Sequence, residues 1–463
     1  MNRAPRIAVV GAGITGLTAA YRLRSTLGPA AEITVLDAAD RAGGTLRTRT
    51  VGGTSVDVGA EAFIVRRPEA VGLIADLGLA AQVVSPGEMR PAIWSAGRLH
   101  RLPSPALMGI PTTPDAAAAL VSAADRERMS TEARRPLRWA VGADPSVGDL
   151  VGERFGPSVV ARSVDPMLGG VYSAAARDLG VREAIPALAA RLDAGADSLT
   201  AAAAAVLDAG AGTTGPVFGA LRGGYRELVE ALVGAGAAEL RLGCGVTGID
   251  RRVTSGGDVT FDVEAAGGGI RVDAVIVAVP PWAAAPLVAD AAPPAAARLA
   301  AVDAAGSAVV ALAVPADARL PEHSGVLVAT DAGLSLKAIT LSSQKWPHLR
   351  AGPVRTLRTS FGRLGAPVTD TDEELVAHAA DDLATVADGA GLPAPEIVDA
   401  VVQRWPNGLP HYAPGHLSRI GEVRRSLPRG LAVAGAAYGG VGVPACIASA
   451  EAAVGDITRA LAS

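Results

Sequence analysis

Six residues near the N-terminus, Gly11-Ala12-Gly13-Ile14-Thr15-Gly16, have the types and spacing needed to hold a dinucleotide. In a G-x-G-x-x-G turn the first glycine permits a sharp bend and the second lets backbone approach a pyrophosphate. The third allows close packing of helix on strand, and the helix N-terminus faces the anion. The flanking elements suit that role. Arg6 to Val10 reads as a buried strand, Leu17 to Leu27 as a helix, and Glu32 to Leu36 as a second buried strand. That strand runs into Asp37 and Ala38, where a carboxylate about 20 residues beyond the turn can accept hydrogen bonds from a ribose diol.

The next chemistry-bearing segment is Arg41-Ala42-Gly43-Gly44-Thr45-Leu46-Arg47, in which two glycines and Arg47 are predicted beside the pyrophosphate. It resembles the GG-x-x-R extension of the amine oxidase and phytoene desaturase superfamily, which implies FAD rather than NAD. Gly59-Ala60-Glu61-Ala62 lies in a stretch resembling the part of that superfamily that passes the isoalloxazine and ribityl chain. By the same resemblance Val246, within the predicted strand Leu240 to Asp250, joins the FAD contacts. The C-terminal run Leu431 to Ile447, containing Gly435, Val441, Gly442 and Val443, resembles the closing FAD motif, where a helix dipole stabilises a reduced, anionic flavin. Cys446 lies within that run, but a small buried thiol is its commoner fate, so the FAD is expected to be non-covalent.

The interior landmarks are more specific. Arg162 to Tyr172, Gly219 to Tyr225, Ser342 to Trp346, and Arg404-Trp405 through His411-Tyr412 to His416 together resemble the bacterial coproporphyrinogen III oxidases, in particular their actinobacterial branch. This resemblance implies three successive two-electron oxidations of the macrocycle by the flavin, with dioxygen reduced to hydrogen peroxide, in heme biosynthesis. Such chemistry asks little of side chains, because the flavin is the oxidant, and no general base is assigned. The substrate's propionates call for cations and its rings for apolar walls. Arg66, Arg67, Lys337, Lys345, Arg358 and Arg363 are candidates for the carboxylates, and Leu168, Gly169, Tyr172, Phe361 and Tyr412 for the ring surface. Pro68 stands near where some relatives place a lysine, so that contact is absent or supplied by Arg67.

These residues must be positioned by a chain of 463 residues, long enough for two or three domains. The expected fold is α/β: a discontinuous Rossmann-like FAD-binding domain, a mixed-sheet substrate domain and a helical subdomain, as in the amine oxidase and phytoene desaturase-like superfamily. Residues 1–68, 218–284 and 425–463 are assigned to the first, 69–95, 205–217 and 285–424 to the second, and 96–204 to the third. Helical spacing is read over Ala116 to Met129, Val147 to Phe155 and Asp372 to Ala387. Strand character is read over Leu240 to Asp250, Val259 to Glu264, Arg271 to Val279, Ala308 to Val314, Gly325 to Ala329 and Val354 to Phe361.

A net charge of -4 without a basic stripe argues against nucleic acid, and two distant cysteines, Cys244 and Cys446, make neither a disulfide framework nor a metal cluster. The expected location is the cytoplasm. The apolar N-terminal run imitates a signal peptide but is broken by glycines, and 430–450 is split by glycines and Pro444 into a strand, a turn and a helix. Residues 96–204 resemble the segment that docks mitochondrial protoporphyrinogen oxidases on membranes, yet their arginines and aspartates are too polar for insertion. The expected partners are coproporphyrinogen III and dioxygen, with transient contact to a ferrochelatase, and the expected state is a monomer or weak dimer. Protoporphyrinogen oxidation, another amine oxidase or desaturase activity, and a tetrapyrrole-carrying flavoprotein without turnover are the competing readings.

Overall fold

The computed structural model describes residues 3–210, 215–253, 257 and 259–462. Four residues of the expected substrate-domain segment 205–217, namely 211–214, lie outside the described residues.

The N-terminal alternation produces a five-stranded parallel sheet, ordered Glu239–Arg241, Glu32–Leu36, Arg6–Val10, Ala274–Val277 and Leu431–Val433. Side chains on a strand point alternately to its two faces, and here both faces are covered. Ile7, Val9, Ile33 and Val35 pack under helices Ile14–Leu27, Arg226–Gly236 and Val443–Ala462. Ala8, Val10 and Leu36 point the other way, toward a three-stranded antiparallel meander, Val246–Val253, Val259–Ala265 and Ile270–Val272. Strands far apart in sequence thus share one sheet, and its central strand delivers the chain directly into the Gly11 turn.

A seven-stranded mixed sheet forms the second body, ordered Asp399–Pro410, Ala304–Pro315, Val354–Phe361, Ala338–Thr340, Gly325–Val328, Ala92–Ser95 and Arg98–Arg101. Along Ala304–Pro315, Val310, Leu312 and Val314 pack under helix Asp372–Gly389 through its Leu375, Ala379, Leu383 and Val386. A capping box starts that helix: Thr371 Oγ1 accepts from the Glu374 N–H at 3.2 Å and Glu374 Oε2 from the Thr371 N–H at 2.7 Å. On the opposite face Val309, Ala311 and Ala313 meet Val51 and Val56 of the hairpin Thr48–Asp57 and Val58 just after it, which ties the sheet to the first body.

Several elements differ from the sequence expectation, each for a local reason. Leu240 to Asp250 is two strands, separated by a turn at Gly243 (φ +64°) that carries the chain out of the parallel sheet into the meander. Arg271 to Val279 divides at Asp273, whose carboxylate accepts from the Arg6 N–H at 2.8 Å. Ala116 to Met129 is a 3₁₀ turn, Pro114–Ala117, and then a new helix, Ala123–Ser130, begun by the Ser122 hydroxyl accepting from the Asp125 N–H at 3.2 Å. Residues 98–111 contain strands rather than helix. Residues 430–450 hold the strand Leu431–Val433, a turn and the start of helix Val443–Ala462. Among the described residues, no helix is long and apolar enough to cross a membrane.

The helical region between Val147 and Gly210 is pinned by a buried ion pair. Arg154 Nη2 lies 2.7 Å from Glu132 Oε1, while Glu132 also accepts from the N–H groups of Leu199 and Thr200 at the head of helix Leu199–Gly210. Removing one charge leaves the other buried and uncompensated, which costs about 3–5 kcal/mol. Glu132→Gln is therefore expected to lower stability by about that amount, as measured by denaturant unfolding.

Candidate functional site

The Gly11 turn is built by close approach of backbone. A Cβ on Gly16 would lie 1.8 Å from the Gly11 carbonyl oxygen, and Gly11 itself has φ +107°. Helix Ile14–Leu27 consequently begins directly after strand Arg6–Val10, and no side chain caps its Gly13 N-terminus, which leaves its first-turn N–H groups available to an anion. A second glycine turn lies against the first. Gly13 and Gly43 form a bridge, the Gly43 N–H donates to Ala12 O at 2.8 Å, and a Cβ on Gly44 would stand 3.1 Å from the Gly13 Cα. Asp37 sits at the end of its strand, accepting from the N–H groups of Ala12 at 2.6 Å and Ala39 at 2.8 Å. Ala38 lies against Gly245, next to Val246, and the Cys244 N–H donates to Asp37 O at 2.8 Å, so these residues border the same end of the cradle.

Gly11, Gly13, Thr15, Asp37, Gly44 and Thr45 line a cavity of about 270 Å³, closed opposite by Trp405 to Gly408 and by Gly435 to Tyr438 with Cys446. The Gly435 to Gly440 turn has φ +137° and +132° at its two ends. It is held by residues from far along the chain: the Tyr412 hydroxyl donates to Ala436 O at 2.6 Å and accepts from the Gly440 N–H at 2.7 Å. His416 Nε2 lies 2.7 Å from Ala437 O, and Arg424 Nη2 donates to Tyr438 O at 2.8 Å. Gly442 and Val443 then start the long helix, with the Cys446 N–H donating to Gly442 O at 3.0 Å.

On the far side of Tyr412 the candidate substrate residues converge. The Tyr172 and Tyr412 rings are 5.6 Å apart, and with Leu168, Leu364 and Val441 they belong to one apolar cluster. Gly169 is buried beside Leu168 on the same helix, while Phe361 packs elsewhere, in the core between the large sheet and helix Asp372–Gly389; Lys337 donates to Ser173 Oγ at 2.5 Å and to Gly362 O at 2.9 Å. Lys345 and Arg358 stand elsewhere, around Glu61. Arg67 pairs with Glu69 at 2.7 Å at the start of helix Pro68–Asp76, its side chain largely exposed.

This arrangement has known counterparts. The family described as flavin-containing amine oxidoreductase matches residues 14–458. The chain belongs to that family. It is 48% identical to a protein of Mycobacterium bovis named coproporphyrinogen III oxidase, over 98% of this chain and 97% of that one. A crystal structure from Exiguobacterium sp. 255-15, assigned as a protoporphyrinogen oxidase, superposes with a TM-score of 0.86 at 28% identity and covers 100% of both chains. Cyclohexylamine oxidase from Brevibacterium oxydans IH-35A has the same fold, with a TM-score of 0.69 at 18% identity over 98% of this chain and 100% of that one.

As a member of the flavin amine oxidoreductases the chain requires a flavin site, and the residues present fit one. Backbone approaches too close for any Cβ, an uncapped helix N-terminus and the Asp37 carboxylate lie along one cavity wall, as a flavin dinucleotide demands. Of the segment expected to follow, only contact with the cavity's edge is seen: a Cβ on Gly59 would lie 1.9 Å from the carbonyl oxygen of Thr45, which lines the cavity, and Trp405 Nε1 donates to Val58 O at 2.9 Å, whereas Glu61 lines a separate, smaller pocket. Burial pushes the Cys446 thiol up to about 11, which disfavours the thiolate that a covalent link would need.

Sequence reasoning placed Arg47 beside the pyrophosphate, while the structure gives the neighbouring Arg41 a defined task. Its guanidinium donates to the carbonyls of Ala42, Gly44 and Leu46 at 3.1, 2.6 and 3.3 Å, fixing the second glycine turn. Tyr412 was expected on the macrocycle side and not for the hold of its hydroxyl on the Gly435 to Gly440 turn, and Asn407 (φ +50°), which lines the cavity, was not foreseen, its neighbourhood being marked only as a family landmark.

Electrostatics distinguish Glu61 from its neighbour Asp57. Burial alone would raise Glu61, but Lys345 at 2.6 Å and Arg358 at 3.9 Å outweigh it and bring the carboxyl down to about 2. With its folded value below the unfolded 4.5, Glu61 contributes stability above pH 4.5 that is lost as pH falls toward 2. Glu61→Gln should therefore flatten the acid limb of the stability profile, as followed by circular dichroism between those limits. Tyr412→Phe leaves the Gly440 N–H and Ala436 O without that partner, at a cost of about 1–3 kcal/mol. It should release flavin about 5- to 150-fold faster, the factor that energy corresponds to, as read from the loss of protein-bound flavin absorbance.

Proposed function

We propose that this protein binds FAD non-covalently and uses dioxygen to oxidise coproporphyrinogen III to coproporphyrin III, releasing three hydrogen peroxide per macrocycle, in the cytoplasm on a coproporphyrin-dependent route to heme. The observation that carries this reading is the whole-length likeness to coproporphyrinogen III oxidases, which spans the interior landmarks as well as the flavin segments. Removing six hydrogens from the porphyrinogen balances the reduction of three dioxygen molecules. Bound flavin supplies the two-electron oxidant.

The chain's own residues position and enclose. The Gly11 and Gly43 turns hold the dinucleotide, and Tyr412 fixes the Gly435 to Gly440 wall. The same tyrosine presents its ring to Tyr172 on the substrate side, so one residue sets the spacing between cofactor wall and macrocycle pocket. Leu168 and Tyr172 supply the apolar surface against which a flat macrocycle would lie. Aromatisation of the macrocycle drives the chemistry, and no side-chain base is assigned.

The test is aerobic turnover of the yellow protein with coproporphyrinogen III and protoporphyrinogen IX in parallel, following porphyrin fluorescence and peroxide. Faster formation of coproporphyrin with three equivalents of peroxide is expected. A preference for protoporphyrinogen would replace the substrate, and bound flavin without porphyrin from either would leave the amine-oxidase or carrier readings.

A further inference from the structure

Two cations stand together where the helical region meets the large sheet, and neither is paired with a carboxylate among the described residues. Lys337, 8% exposed, reaches from the end of its strand to the Ser173 hydroxyl and Gly362 O at 2.5 and 2.9 Å. Arg363 follows Gly362, and its guanidinium has neither hydrogen bond nor ion pair among the described residues. The acid that does influence Arg363, Asp165, is occupied: its two oxygens accept from the Ala176 N–H at 2.7 Å and from Thr330 Oγ1 at 3.0 Å. Burial and the nearby Arg363 depress Lys337 to about 8, and burial depresses Arg363 as well. Burying like charges without a counterion is unfavourable, and an anion arriving between them relieves that cost.

Ser173 also places the pair relative to the proposed substrate pocket. Its φ of +50° ends helix Asp165–Tyr172 directly after Tyr172, and its carbonyl accepts from the Leu364 N–H at 2.7 Å, which fixes the two segments against each other. Tyr172 touches Tyr412, and Tyr412 holds the flavin-side turn, so Ser173 joins the cation pair to the helix that carries the proposed macrocycle residues Leu168 and Tyr172.

We propose that Lys337, Arg363 and the Ser173 hydroxyl form a carboxylate subsite that binds one propionate of the macrocycle and makes recognition depend on free acid groups. The proposal rests on the functional reading above and deepens it. A macrocycle bearing a propionate on each of its rings offers this subsite a partner in several orientations, and an esterified macrocycle offers none.

Equilibrium binding to the flavin-loaded protein tests it, using fluorescence of coproporphyrin III and of its tetramethyl ester dispersed in detergent. Wild type should prefer the free acid, and Lys337→Met and Arg363→Met should each weaken acid binding by about 10-fold or more, the usual scale for losing a hydrogen bond to a charged group. Ester binding should be unchanged, and Lys337→Arg should retain most of the acid affinity. Thermal melts and flavin content establish that each variant is folded. Folded methionine variants that bind the acid as wild type does, or that lose acid and ester alike, would overturn the subsite. Wild type that binds neither compound would overturn the functional reading itself, and the subsite with it.

Discussion

A Cβ at Gly16 would meet the Gly11 carbonyl oxygen at 1.8 Å, so the first helix can begin where it does only because that side chain is absent. The rest of the molecule is arranged around this approach. It aims the uncapped N-terminus of Ile14–Leu27 into the cavity and brings Gly13 against the Gly43-Gly44 turn. Arg41 locks that second turn through three carbonyls, so both glycine turns at the cavity are held by hydrogen bonds and close packing. A rigid cradle needs no reorganisation when an anion arrives, which is why so little charge is committed to it.

The opposite wall solves a harder problem, since the turn from Gly435 to Gly440 has few side chains with which to hold itself. Tyr412, His416 and Arg424 therefore hold it from outside, through backbone atoms. These three residues lie on or beside helix His416–Ser426, whose start is tied to the helical region by the Gly415 N–H donating to Asp144 at 2.7 Å and the Leu417 N–H to Glu183 at 3.1 Å. The shape of the flavin wall thus depends on contact between regions that no local stretch of sequence specifies.

That division explains what was legible in the sequence. Strands Arg6–Val10, Glu32–Leu36 and Val354–Phe361 carry their signal in residue type alone, and they occur where expected. The glycine turns are equally local. By contrast, Asp399–Pro410 is a twelve-residue strand written with Trp-Pro-Asn-Gly, a turn-like composition, and it is held as strand by pairing with Ala304–Pro315 across a register shift near Gly306. Pro406 and Gly408 lie on the sheet's outermost strand, where such residues are tolerated. Leu240 to Asp250 was read as one strand because the β character on either side masks the single turn glycine, Gly243, at which it breaks. The Tyr412 hydroxyl and the guanidinium of Arg41 were illegible in principle, because their partners are backbone atoms and backbone is the same in every sequence.

Two carboxylates four residues apart show how the remaining chemistry should be read. Asp57 is raised to about 6 by burial, with only neutral donors on it, the Thr48 hydroxyl at 2.6 Å and the Tyr225 N–H at 3.1 Å. Glu61 moves the other way because Lys345 and Arg358 face it. Carboxylates whose values separate in this manner are the usual signature of an acid and base pair. Here, however, each is engaged in holding the turn between them: Asp57 anchors it to Tyr225, Glu61 to Ser342 and Lys345, and Arg358 donates to Gly59 O at 3.1 Å. Their separation follows from fixing a buried backbone turn with whatever charges are at hand. In a reaction whose oxidant is a bound cofactor, a firmly held wall is worth more than a side-chain base, and the titratable groups of this site are spent accordingly.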